Sequence, residues 1–144
     1  ETVGLPNIRT ELQDASVCRE EWKDSADVVL CDVPCSGLGI IRKKPEIRFK
    51  NPDEIRTLPE IQARILANCA QYVKKGGTLV YSTCTILQRE NEDVVRTFLT
   101  ENPEFEAVSW THPVCGERAD GMVTLLPPVH NTDGFFIAKM HRKV

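Results

Sequence analysis

Two short apolar runs in this chain each stop close to a cysteine, and that pairing constrains the fold more than any other feature. The first lies in residues 27–39, DVVLCDVPCSGLG, where the run from Val28 stops at Asp32 and Pro34-Cys35-Ser36-Gly37 follows at once. The second lies in residues 76–85, GGTLVYSTCT, where Leu79 to Tyr81 gives way to small polar residues and Cys84. A continuous apolar run bounded this way predicts a parallel strand covered on both faces, here residues 28–33. In open sheets built from such strands, ligands bind beyond the carboxyl ends. Neighbouring strands lie about 4.8 Å apart. If residues 28–33 and 78–83 are neighbours, Cys35 and Cys84 face one cleft.

The rest of the pattern alternates strands with helices. Residues 1–6 read as the end of a preceding element, with Gly4 suited to a helix stop. Ile8, Thr10 and Leu12 alternate with polar residues, which predicts a strand over 7–12 and places Asp14 at its end. Residues 16–26 are polar, with a short helix expected around Trp22. Thr57 and Glu60 have capping-box spacing, with Pro59 in the first turn. Leu58, Ile61, Ile65, Leu66, Cys69, Tyr72 and Val73 then recur at helical period. Lys74 and Lys75 suit the negative end of the dipole, and Gly76-Gly77 stops the helix. A second helix is predicted over about 89–101, with Val94, Val95, Phe98 and Leu99 inward. Strands follow at 105–110 and 135–140, joined by an irregular stretch rich in proline and glycine. A connection that long is usually functional or mobile. The order predicts an α/β chain with a mostly parallel sheet, helices on its faces and an antiparallel pair at one edge.

Bulk properties narrow the function classes. A chain of 144 residues with 41% hydrophobic and 27% charged residues is an ordinary globular domain. A net charge of −3 excludes a protein that coats nucleic acid over its whole surface, but allows a local basic patch. Residues 40–50, IIRKKPEIRFK, supply one: Arg42, Lys43, Lys44, Arg48 and Lys50 stand against Glu46 alone. No stretch is apolar enough to span a bilayer, and no signal peptide opens the chain. Six cysteines spread through apolar strands and helices suggest a reducing compartment, which implies a cytoplasmic protein. The first residue is Glu1 rather than Met, which reads as a trimmed start.

Cysteine is commonly just a small buried hydrophobe, the reading given to Cys18, Cys31, Cys69 and Cys115. Cys35 and Cys84 differ. One leads into the basic segment and the other precedes a helix, and both surroundings favour a reactive thiolate. A zinc site is a weaker reading: Cys31 and Cys35 have a usable spacing, but residues four apart on a strand are too distant to share a metal. No metal site is therefore assigned. His130 and His141 stand alone and carry no role. Asp133-Gly134 reads as a turn, and Phe135 and Phe136 as core.

DVPCSG at 32–37 and STC at 82–84 together resemble the Sun-type RNA cytosine-5 methyltransferases, most closely the bacterial ribosomal RNA enzymes. The similarity extends through IIRKKPEIRF, GGTLVYSTCT with the following QREN, and DGFFIAK at 133–139. The resemblance implies a Rossmann-like methyltransferase sheet. It implies S-adenosylmethionine as methyl donor and RNA as partner, with ribosomal RNA in a single-stranded or loop region as substrate. Cys84 would be the thiolate that adds to carbon 6 of cytosine, activating carbon 5 for methylation. Cys35 would assist breakdown of the adduct. Asp32 would lie beside base and methyl donor, able to hydrogen-bond the exocyclic amine or ring nitrogen 3. Asp14 would match the acid near the cofactor's adenine, although by itself it reads as an ordinary turn aspartate. Arg42, Lys43, Lys44 and Arg48 would meet RNA phosphates.

The family's glycine-rich cofactor loop and the acidic end of its second strand have no counterpart here. Residues 1–144 are therefore expected to be the C-terminal part of a catalytic domain, lacking its first two strands and inactive alone. Rival readings stay open at this point. Cys35 could be the attacking thiol, as the Pro-Cys cysteine of DNA cytosine-5 methyltransferases is. The chain could be a non-catalytic RNA-binding module using its basic segment, or a redox or zinc protein.

Overall fold

The apolar run after Ala26 becomes strand β1 (Ala26–Asp32) in a computed structural model that describes residues 5–144. The reading of Gly4 as a helix stop lies outside the described residues. Helix α1 (Pro52–Ala70) returns the chain to strand β2 (Val73–Thr83), which pairs with β1 in parallel from Val28↔Thr78 to Asp32↔Ser82. Helix α2 (Glu92–Glu101), strand β3 (Phe105–Ala107), a small hairpin of β4 (Trp110–His112) and β5 (Gly116–Arg118), strand β6 (Met122–Leu125), a single turn α3 (Pro127–His130) and strand β7 (Phe135–Arg142) complete the order. The main sheet runs β1-β2-β7-β3, with β6 also on β7. β7 is antiparallel to β2, β3 and β6. The expected α/β class with parallel and antiparallel strands holds, and the parallel pair that carries the two cysteines is in place.

Tyr81, Leu79 and Met140 are fully buried between sheet and helices, and Tyr81 meets Phe136 edge to face at 6.1 Å. Leu66 and Val95 bring α1 and α2 onto this core with no exposed surface. Each such side chain contributes about 1.5–3 kcal/mol by leaving water.

Several boundaries differ from expectation. Helix α1 starts at Pro52, not near Thr57. Asn51 caps it by accepting from the Asp53 amide at 3.0 Å, with Pro52 at the first position and Asp53 and Glu54 in the first turn. Pro59 sits inside the helix. Lys74 to Gly77 do not end that helix. They bulge out of β2, because Ala26 pairs with Val73 and Val28 already pairs with Thr78. Gly76 takes φ 77°, and a Cβ on Gly77 would stand 3.0 Å from the Asp27 carbonyl.

No strand forms over 7–12; the segment runs irregularly across the end of α1, held by Asn68 Nδ2 donating to the Ala15 and Val17 carbonyls at 2.7 and 3.1 Å. A strand needs a neighbour, and among the described residues none lies beyond the free edge of β1. β1 is also covered on one face only, since among the described residues no layer packs on the other: Cys31 is buried, while Val28 and Leu30 are 63% and 67% exposed. The expected short helix around Trp22 is one 3-10 turn, Glu20–Trp22. The expected strand over 105–110 divides, β3 joining the main sheet and Trp110 joining the hairpin. The long irregular stretch after it contains β5, β6 and α3.

Candidate active site

The two cysteine loops leave the sheet together. The Val33 amide donates to the Ser82 carbonyl at 3.2 Å, which carries the parallel pairing one residue beyond β1. Past that point the chains turn around a buried polar frame. Glu90, fully buried, accepts through Oε2 from the Ser36 amide and from Gln62 Nε2, both at 2.9 Å. Gln62 Nε2 also donates to the Pro34 carbonyl at 3.0 Å. Ser36 and Thr85 share a hydroxyl contact of 2.7 Å. Thr83 Oγ1 donates to Asn91 Oδ1, and Asn91 Nδ2 donates to the Thr85 carbonyl. Buried groups of this kind are costly when unpaired, so the frame holds both loops in one arrangement.

Backbone approach fixes the loops further. The Gly39 amide donates to the Cys84 carbonyl at 3.0 Å, and the Gly134 amide donates to the Gly39 carbonyl at 2.8 Å. A Cβ on Gly39 would lie 2.1 Å from the Gly134 oxygen and 2.8 Å from the Cys84 oxygen. Only glycine allows three backbone segments to meet here. Gly134 is therefore more than a turn residue.

Cys35 Sγ and Cys84 Sγ end 3.2 Å apart, both half-buried thiols. They open onto a pocket of about 420 Å³, whose wall includes Val33, Ile40, Ile47, Lys44, Glu46 and Lys50. Burial, with the Cys84 thiol beside it, pushes the Cys35 thiol up to about 12. Burial thus works against a thiolate at Cys35, a cost that its position in the sequence does not show. Its S–H can donate to Cys84 Sγ, so the geometry offers Cys84 a hydrogen bond to its sulfur. Such a bond favours negative charge on the acceptor.

The remaining expected residues fall in three places. Asp32 is exposed at the carboxyl end of β1, where Ser82 Oγ donates to its Oδ1 at 2.8 Å; it does not line the cysteine pocket. Asp14 is exposed and begins a turn, accepting from the Ser16 amide and hydroxyl at 2.9 and 2.7 Å, and these bonds hold its carboxyl below the ordinary value. The basic segment divides. Arg42 and Lys43 pair with Asp133, the first at 2.9 Å, and the two cations hold the Asp133 carboxyl below its ordinary value, Lys43 foremost. Lys44 faces the pocket. Arg48 faces a second groove.

Sequence reasoning missed Lys50 as a structural cation: its Nζ donates to the Ser36 carbonyl at 2.9 Å. It also missed Gln62, Glu90 and Asp133. Glu90 had one available signal, an acid within a turn of a helix start and directly after an arginine, which does not distinguish a buried acid from an exposed one.

Comparison with known proteins places these features in a group. Residues 1–141 match the family described as 16S rRNA methyltransferase RsmB/F. A Bacillus subtilis (strain 168) protein, "Probable ribosomal RNA small subunit methyltransferase B", is 43% identical over 148 aligned residues, covering 98% of this chain and 33% of the relative. The crystal structure of PH0851 superposes with a TM-score of 0.83 at 37% identity, covering 90% of this chain and 30% of that one. NSun6 from Pyrococcus horikoshii, crystallised with SFG, shares the fold at 24% identity and a TM-score of 0.76, over 96% of this chain and 35% of its own. The chain thus spans about a third of the length of the curated relative it matches.

Proposed function

Because this chain belongs to the RsmB/F family of 16S rRNA methyltransferases, we propose that it carries the thiol site of an enzyme that methylates carbon 5 of a cytosine in RNA. The substrate is ribosomal RNA in a single-stranded or loop region, and the enzyme works in the cytoplasm. The observation that carries the reading is the pair of sulfurs, 3.2 Å apart at the end of a parallel strand pair, facing a pocket of about 420 Å³ with room for a base.

Cys84 is the attacking group. Its thiolate adds to carbon 6 of cytosine, forming the S–C6 bond and leaving carbon 5 electron-rich. Once carbon 5 is methylated, water in the open site takes its proton, the C5–H electrons re-form the C5=C6 double bond, and the S–C6 bond breaks with its electron pair returning to sulfur. Cys35, held as a thiol by burial, donates its S–H to Cys84 Sγ and stabilises that leaving thiolate. Asp32, the last residue of β1, is exposed outside the pocket lining, and we assign it the acceptor for the base's exocyclic amine once RNA is bound. Lys44 brings positive charge to the pocket for the RNA backbone, and Arg48 extends it. Arg42 and Lys43 join them with part of their charge neutralised by Asp133.

S-adenosylmethionine, when bound, supplies the methyl group. The residues present fit one side of it: exposed carboxylates at Asp32 and Asp14 suit its polar groups, and Val28 and Leu30, also exposed, precede Asp32 on β1. We read residues 1–144 as the C-terminal part of the catalytic domain, whose remaining strands would cover that face and edge. This chain alone should then bind the cofactor weakly, and a sub-micromolar constant by calorimetric titration refutes the partial-domain reading.

The site is tested with full-length enzyme and RNA carrying 5-fluorocytosine, which blocks proton loss from carbon 5 and preserves the adduct. Cys84→Ala should abolish the covalent complex, and Cys35→Ala should retain or accumulate it. The reverse pattern makes Cys35 the nucleophile.

A further inference from the structure

Beside the cysteine pocket lies a second groove of about 470 Å³ that the thiol chemistry does not use. Arg48, Lys50, Arg56 and Arg89 line it, and no carboxylate does. Its floor is apolar. Ile47 and Lys50 line both this groove and the cysteine pocket, so the two lie on either side of a shared wall. Phe49, between Arg48 and Lys50 in the chain, is 85% exposed. Phe49 stands outside the lining of both the groove and the pocket and has no packing role among the described residues. Cations around an apolar lining, with an exposed aromatic ring next in the chain to two of them, match what single-stranded nucleic acid requires: phosphates meet charge and bases meet a flat apolar surface.

Resting on the RNA methyltransferase reading above, we propose that this groove holds the RNA strand flanking the target cytosine, with Phe49 stacking on a neighbouring base. Arg56 and Arg89 reach it from different elements, α1 and the turn Gln88–Glu90 before α2. Arg56 is 70% exposed and pairs with Asp53 at 3.1 Å, a surface contact that a phosphate can replace. Arg89 also lines a neighbouring depression with Glu60 and Asp93. Lys50 is committed to the Ser36 carbonyl and serves chiefly to join the groove to the cysteine loop. The strand would leave the pocket over Ile47 and Lys50 and run toward Arg56 and Arg89. Recognition of this kind is tolerant of sequence, so the groove contributes affinity and register while the pocket selects the base.

The test uses full-length enzyme and a fluorescein-labelled single-stranded RNA 20-mer of mixed sequence, followed by anisotropy at several potassium chloride concentrations. In the R56Q/R89Q double variant, the slope of log affinity against log salt should fall by about 1.4, at roughly 0.7 per lost phosphate contact on a single strand. Phe49→Ala should weaken binding about 5- to 100-fold and leave that slope unchanged, because stacking releases no counterions. Arg96→Gln, an exposed cation on α2 outside the groove, should change neither. All these positions are exposed, and circular dichroism of each variant should match the parent. Wild-type binding with unaltered affinity and slope in both groove variants overturns the groove alone. Failure of the wild type to bind RNA removes the methyltransferase reading as well.

Discussion

Replacing Gly39 with alanine puts one methyl group where three backbone segments converge. The added carbon would stand 2.1 Å from the Gly134 oxygen, 2.5 Å from its carbonyl carbon and 2.8 Å from the Cys84 oxygen. These are main-chain atoms, so no side chain can rotate away, and the segments must separate by more than an ångström to reach ordinary contact. Two hydrogen bonds run through this point, Gly39 to Cys84 at 3.0 Å and Gly134 to Gly39 at 2.8 Å. Losing both costs about 1–3 kcal/mol, and the overpacking itself about 1–3 kcal/mol. The expected destabilisation is therefore about 2–6 kcal/mol, a large share of the ~5–15 kcal/mol that holds a typical domain folded. Urea unfolding of full-length Gly39→Ala, followed by circular dichroism, measures it. Activity should fall further than stability does, because an ångström of misplacement at the Cys84 loop can cost about 100-fold in rate. A variant within ~0.5 kcal/mol of wild type, the range of a neutral surface change, with unaltered turnover, would refute the argument that close backbone approach sets the Cys84 position.

Two further outcomes follow from the buried frame and the thiol pair. Tyr81→Phe removes the hydroxyl that donates to the Glu90 carbonyl at 2.6 Å inside the core, and should cost about 1–3 kcal/mol in urea unfolding by orphaning that acceptor; no change would mean that the carbonyl finds another donor. Cys35, raised to about 12 from an ordinary 9.0 chiefly by burial, should resist iodoacetamide until well above pH 9, and should still do so in Cys84→Ala. At pH 9 its thiolate population is about five hundredfold below that of an unperturbed cysteine. The folded state binds this proton more tightly than the unfolded chain, so the associated stability is present below pH 9 and is lost as pH rises toward 12. An alkylation midpoint below pH 9, read by peptide mass spectrometry, contradicts the buried-thiol assignment.

The legible parts of the sequence were those governed by local rules. Apolar runs ending at Asp32 and Ser82 gave the parallel pair and with it the meeting of Cys35 and Cys84. The stripe from Val94 to Phe98 gave α2. The start of α1 was also legible, in Asn51-Pro52-Asp53-Glu54, but the competing spacing of Thr57 and Glu60 obscured it. Long-range features were not legible. Nothing local says that β7 inserts between β2 and β3, because its side chains alternate as those of an edge strand would. Gly39 and Gly134 look like ordinary loop glycines until 94 residues of intervening chain bring them together. Glu90 reads as a surface acid, and only the fold reveals that it is sealed beneath Ser36 and Gln62. Val28 and Leu30 show the opposite error: their pattern expects cover on both faces, and the described residues supply it on one.

The assignment of chemistry to the paired sulfurs is tested most directly by locating the bond. Full-length enzyme trapped on 5-fluorocytosine RNA, digested with trypsin and nuclease, releases Cys84 in a peptide of residues 76–89 and Cys35 in a separate peptide of residues 24–42. The account predicts the nucleotide's mass on the peptide of residues 76–89, at Cys84. Nucleotide attached at Cys35 would contradict it.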